Sequence, residues 1–258
     1  METIIRVEVN GHRYYKVTDG DELIGIFPSM TTILGNSKDE KDIGGLEKWR
    51  DSVGHEEADR ISNLSMNRGT IMHRLIELYK GLQGTPDERL AQLNIISKED
   101  NEINQYNEDQ LGSVWLQAGW DMFMKFWNHH ELFFDRIEEV LMAEGFIWSK
   151  RGFAGTLDNA SKMTDGNVLI IDYKNSRKPK RDEWIEDYFC QVAGYSVAFF
   201  ERTGIVPTGC EIWMGNELED KPQVFRMTYN DIKYYFKMFM KRLRKFEERN
   251  EINISNTK

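Results

Sequence analysis

Two short stretches hold the residues best suited to chemistry: Gly155-Thr156-Leu157-Asp158, and Val168-Leu169-Ile170-Ile171-Asp172-Tyr173-Lys174. The apolar run from Val168 to Ile171 reads as a buried strand that ends in an acid and a lysine. Asp165-Gly166-Asn167 just before it carries the Asp-Gly signal of a tight hairpin. Side chains alternate across a strand, so Asp172 and Lys174 project from one face, about 7 Å apart. Asp158, on the preceding strand, brings a second carboxylate to the same place if the register allows. Two carboxylates beside an ammonium suit a divalent cation held through oxygen. Phosphodiester hydrolysis needs these parts, because positive charge must meet the non-bridging oxygens while an activated water attacks in line. A lone Asp-x-Lys is commonly a surface ion pair. This one ends an apolar strand and follows Gly-x-x-Asp across a hairpin, which gives it weight.

The elements that must position these residues follow from periodicity. Residues 4–27 alternate apolar and polar positions around Asn10-Gly11 and Asp19-Gly20, the pattern of short strands or hairpins. Ser29 is an N-cap for a helix through Met30, Ile33 and Leu34 that Gly35-Asn36-Ser37 ends. Gly45 to Lys80 is helical in composition and breaks near Val53-Gly54-His55. Its second helix contains Gly69-x-x-x-His73. Glycine inside a helix costs about 1 kcal/mol relative to alanine, so another backbone or a ligand is expected to come close there. His73 alone reads as an ordinary exposed or hydrogen-bonded histidine. Residues 81–110 are polar and read as a mobile connection, with a helical piece around Leu90-Ala91-Gln92-Leu93 as the alternative.

Leu111 to His130 is a helix with Trp115, Trp120, Phe123, Phe126 and Trp127, read as a core stripe in preference to a base-stacking platform. Strands follow at 137–148 and 153–158, with Ser149-Lys150-Arg151-Gly152 between them, so the hairpin belongs to a sheet of at least three consecutive strands. Glu144 lies on the first of these and reaches either the site or its rim. Asp182 to Glu201 is an amphipathic helix on which Gln191 and Tyr195 share a face with Tyr188. Two more strands, Cys210 to Met214 and Gln223 to Met227, precede a last helix, Tyr229 to Arg249; residues 251–258 read as a frayed tail.

Among 258 residues, 40% are hydrophobic and 30% charged, ordinary for a folded enzyme. No apolar run is long enough to span a bilayer and the first residues lack a signal-peptide core, so a cytoplasmic protein without membrane partners is expected. Cys190 and Cys210 read as core thiols. The net charge of -9 opposes binding of a polyanion across the whole surface, so nucleic acid would have to be gripped locally. The run Lys174-Asn175-Ser176-Arg177-Lys178-Pro179-Lys180-Arg181 directly follows the acidic site. A second group, Lys237, Lys241, Arg242, Arg244 and Lys245, reads equally as a solvated helix face.

The ordered set Gly69-x-x-x-His73, Glu144, Gly155-Thr156-Leu157-Asp158, Asp172-Tyr173-Lys174 and Gln191-x-x-x-Tyr195 resembles the RecB-like branch of the PD-(D/E)XK nuclease superfamily. Pro28 to Leu34 and the helices after it are similar to mitochondrial genome maintenance exonucleases and their bacteriophage relatives, and the resemblance spans roughly residues 25–200. It implies an α/β (α+β) restriction-endonuclease-like core, a central mixed sheet flanked by helices, with a helical N-terminal region. One nuclease domain over 1–258 is expected: 1–135 carrying His73, 136–250 the catalytic core, and 251–258 the tail.

The resemblance further implies DNA cleavage with one or two Mg2+ or Mn2+ ions, usually from a free single-stranded end. Asp158 and Asp172 would be the central metal ligands, His73 and Glu144 further metal contacts, and Lys174 the catalytic lysine. An imidazole among oxygen donors makes Mn2+ more competitive. Gln191 and Tyr195 match the accessory catalytic motif that positions the lysine and the DNA backbone. Asn175, Ser176, Arg177, Lys178, Lys180 and Arg181 would contact DNA, although Asn175-Ser176 stands where Thr-Ser is expected. Cysteines for an iron–sulfur cluster are missing, which disfavours the cluster-binding relatives. The expected function is a metal-dependent exonuclease of DNA replication, recombination or repair, cellular or phage-encoded. The alternatives are a catalytically silent DNA-binding or recombination accessory module, or an endonuclease of the same superfamily, for which no sequence-reading module is found. Oligomeric state is not encoded.

Overall fold

Left-handed backbone at Asn10 (φ 52°), Gly11 (φ 75°) and Gly20 (φ 56°) folds the first residues back twice. The result is an antiparallel sheet of β1 (Glu2–Val9), β2 (His12–Asp19) and β3 (Glu22–Pro28). The computed structural model describes residues 2–108 and 112–250; the tail at 251–258 lies outside them. Ser29 caps α1 (Met30–Asn36) by accepting the Thr32 N–H at 3.0 Å. Then α2 (Glu40–Val53) and α3 (His55–Gly81) follow, separated by Gly54 at φ 87°.

The segment expected to be a mobile connection is helical over its described residues, as α4 (Pro86–Ile96) and α5 (Asn101–Asn104). Thr85 and Glu88 form a capping box with Pro86 at the first turn, and Leu93 and Ile103 are buried against the neighbouring helices. Two apolar anchors therefore outweigh a polar composition. In α6 (Gly112–Trp127) the side chains of Phe123 and Phe126 are fully buried, as a core stripe requires. The helix ends at Trp127, and short 3-10 turns occupy 130–132 and 134–136.

The second sheet contains β4 (Ile137–Ser149), β5 (Phe153–Met163) and β6 (Val168–Ser176), joined antiparallel. Next α7 (Glu186–Thr203) crosses to β7 (Gly209–Asn216), parallel to β6. Finally β8 (Gln223–Thr228) pairs antiparallel with β7 and leads into α8 (Tyr229–Asn250). The sheet is therefore mixed, in spatial order β4-β5-β6-β7-β8. One face, with Ile170 and Ile212, packs on α1, α7 and α8; the other, with Ile171 and Tyr173, packs on α3 and α6. Cys190 and Cys210 are buried free thiols. Two of the five residues in the second basic group are fastenings, while Lys237, Lys241 and Arg244 are exposed. Arg242 donates to Ser37 at 2.6 Å and Asp187 at 3.0 Å, and Lys245 pairs with Asp39, which ties α8 to the end of α1.

Candidate active site at a fork in the sheet

β5 and β6 pair from Lys162–Val168 to Asn159–Ile171 and then part. Continued by one residue, that register places Asp158 opposite Asp172. On β4, Glu144 falls opposite Asp158, between the pairs Ala143–Asn159 and Gly145–Leu157. Three neighbouring strands thus deliver three carboxylates in one row to the point where the sheet splits. The Tyr173 N–H, released from the ladder, donates to Asp158 Oδ2 at 2.8 Å. Glu144 has φ 45°, a left-handed backbone in mid-strand, which costs roughly 1–3 kcal/mol and persists only where the surroundings enforce it.

Because the strands part, helices from both faces reach the fork. From α3, His73 Nε2 donates to the Tyr173 carbonyl at 2.8 Å, which leaves the Nδ1 lone pair 3.6 Å from Asp158 Oδ2. The His73 and Tyr173 rings meet edge to face at 5.6 Å. Burial pushes the His73 pKa down, so the imidazole is neutral, the form that binds metals. The glycine four residues earlier has a packing reason. A Cβ on Gly69 would lie 2.5 Å from Asn175 Nδ2, and buried Arg68 donates to Asn175 Oδ1 at 2.8 Å while pairing with Glu217. These contacts clamp α3 onto the ends of β6 and β7.

From α7, Gln191 Nε2 donates to the Tyr195 hydroxyl at 2.8 Å, and both side chains are buried. The Tyr195 ring fills the space left by Gly155, where a Cβ would stand 2.7 Å from ring Cε1. Lys174 Nζ lies against Asp172 and 5.2 Å from the centroid of the Tyr188 ring.

Negative charge dominates this buried point. Asp172 is 1% exposed and lies against the Lys174 ammonium, with the Asp158 carboxyl beside it. Burial pushes its carboxyl up to about 7, with Lys174 pulling the other way and Asp158 reinforcing the rise. Glu144 is pushed up to about 8 by burial, then by Asp158 and Glu77. Burial draws the Lys174 ammonium down, but Asp172 and Asp158 outweigh it and the net direction is up. Donor atoms of His73, Glu144 and Asp158 all lie within 4.8 Å of one another. A half-buried site with surplus carboxylate charge, balanced at Asp172 by a single ammonium, and a free imidazole lone pair fits a divalent cation.

Residues 45–250 match the PD-(D/E)XK nuclease superfamily. The chain belongs to this superfamily. A solved structure, described as a "Putative exonuclease" from Eubacterium rectale, is similar over 73% of this chain and 84% of that one, at 12% identity and a TM-score of 0.41. No curated protein matches the chain.

Membership implies a nucleic-acid substrate, and the fork is the candidate place for its phosphodiester. Two clefts meet there. One, of about 690 Å³, is lined by His73, Glu144 and Thr156; the other, of about 530 Å³, by Tyr173, Lys174 and Tyr188. Ser65, Met66, His73 and Asn175 border both. In the basic run, the Asn175 side-chain amide oxygen accepts from Arg68, and buried Ser176 donates to the Lys178 carbonyl at 2.7 Å, so Ser176 shapes the loop. Arg177, Lys178 and Arg181 are exposed and Lys180 is half-buried.

Sequence reasoning missed Lys80. Its ammonium donates to Asn159 Oδ1 at 2.9 Å and to the Tyr173 hydroxyl at 3.2 Å, and burial pushes its pKa down to about 8. The available signal was helical spacing, since His73, Glu77 and Lys80 fall on one stripe of α3. Tyr173 was equally hidden: its N–H, carbonyl, ring and hydroxyl engage Asp158, His73, His73 again and Lys80.

Proposed function

We propose that this nuclease is a metal-dependent DNA exonuclease that begins at free single-stranded ends, with one or two Mg2+ or Mn2+ ions held by Asp158, Asp172, Glu144 and His73. The observation that carries the reading is the meeting of the His73, Glu144 and Asp158 donor atoms within 4.8 Å, beside the Asp172–Lys174 pair. Bound there, a divalent ion would supply positive charge to the phosphate and lower the pKa of a water.

The remaining work falls to the chain's own groups. Lys174 keeps its proton beside Asp172 and presents an ammonium toward the cleft, where it stabilises charge growing on the phosphate oxygens. The Gln191–Tyr195 bond braces the floor beneath Gly155 and so fixes where Asp158 stands. Arg177, Lys178, Lys180 and Arg181 offset a net charge of -9 where the strand must approach. The role proposed for such an enzyme is replication, recombination or repair of DNA in the cytoplasm.

The test is incubation of purified protein with Mn2+ or Mg2+ and either linear single-stranded DNA or a closed single-stranded circle. Digestion of the linear strand alone supports the reading. Cutting of the circle would make it an endonuclease, and binding without any digestion would make it a silent accessory module. Lys174→Ala is expected to abolish digestion and, by stripping Asp172 of its ammonium, to lower metal-free thermal stability, with Mn2+ binding retained; unchanged turnover would remove Lys174 from the mechanism.

A further inference from the structure

Of the seven tryptophans, only Trp184 is exposed, at 60%; Trp148 and Trp213 are in the core and the rest are partly covered. An indole left in water forgoes more burial than any other side chain, so its position calls for a partner. The segment that carries it is well held. Ser176 Oγ donates to the Lys178 carbonyl at 2.7 Å, and Lys180 exchanges two backbone bonds with the Gln223 amide, at 2.8 and 2.9 Å. The Trp184 N–H donates to the Arg181 carbonyl at 3.0 Å, and the next residue, Ile185, is in the core. The Arg181 guanidinium lies 5.3 Å from the centroid of the indole.

This segment runs between two residues that line one cleft at the fork. Lys174 precedes it on β6 and Tyr188 follows it on α7, and these two line the same cleft with 5.2 Å between ammonium and ring centroid. Between them the chain offers Arg177, Lys178, Lys180 and Arg181. An exposed ring among cations is the combination that binds single strands, the cations tracking phosphates and the ring taking a base face. Within a duplex, neighbouring base pairs cover those faces everywhere but at the terminal pairs, so away from an end only an unpaired base has one to offer.

We propose that Trp184 stacks on an unpaired base of the bound substrate strand, with Arg181 supporting the ring. The inference rests on the DNA nuclease reading above and adds to it a residue that selects single-stranded substrate.

The experiment measures binding of oligothymidylate and of a covalently closed duplex circle in EDTA, and single-strand digestion in Mn2+, for the parent, Trp184→Ala and Trp184→Phe. Stacking on one base corresponds to a loss of roughly tenfold on removal. Trp184→Ala is therefore expected to weaken single-strand binding by about that factor and raise KM with little change in kcat. Duplex binding should be unchanged, and Trp184→Phe should restore most of the loss. Oligothymidylate should quench tryptophan fluorescence in the parent and much less in Trp184→Ala. Equal binding of single strands by parent and Trp184→Ala, or equal losses on single strand and duplex, would overturn the stacking role while leaving the nuclease reading intact. A folded parent that neither binds nor digests single strands would overturn both.

Discussion

Replacing Asp172 by asparagine separates what the site costs the fold from what it does for catalysis. The carboxyl has an ordinary value of 3.8 and is pushed up to about 7, chiefly by burial, with the Lys174 ammonium opposing the rise. The folded state therefore holds the proton more tightly than the unfolded chain. Stability is undiminished below the unfolded value and is lost as pH rises through the folded one. The gap between 3.8 and about 7 corresponds to roughly 4 kcal/mol by pH 8. An asparagine escapes this penalty but buries an amide N–H without a partner, which takes back about 1–3 kcal/mol. Without metal, Asp172→Asn is expected to be more stable than the parent by about 1–3 kcal/mol at pH 8, with the gain falling away toward pH 4. Thermal melts in EDTA at both pH values measure this. Saturating Mn2+ should raise the parent's Tm well above its metal-free value and move the variant's much less. A variant less stable than the parent at pH 8, or a difference that ignores pH, would refute the electrostatic account.

Two further substitutions test the packing and the donor set. Gly155→Ala places a Cβ 2.7 Å from Tyr195 Cε1 and should cost about 1–3 kcal/mol by denaturant titration, with digestion reduced as Tyr195 and Gln191 move; an unchanged midpoint would mean the fork is looser than described. His73→Ala removes the one nitrogen donor and should weaken Mn2+ binding more than Mg2+ binding by calorimetry, whereas equal losses would deny the imidazole a ligand role.

What the amino-acid order determined by itself is the part of this protein that short-range physics controls. Alternating side chains and an Asp-Gly turn put Asp172 and Lys174 on one face of a strand after a hairpin, and the paired groups stand there. Ser29 as a cap, Gly54 as a break and the amphipathic stripe carrying Gln191 and Tyr195 were legible for the same reason. The helices at 86–104 were not, because their anchors Leu93 and Ile103 matter only once α3 and α6 are there to bury them. Tertiary structure alone decided the rest of the site. Parting of β5 from β6 lets His73 enter from one face and Tyr195 from the other. The strained backbone at Glu144 sets a third carboxylate in the row, and Tyr173 orients His73 through its own carbonyl. His73 and Tyr173 lie a hundred residues apart in the chain, and the bond that leaves Nδ1 free exists only after α3 has packed on the sheet.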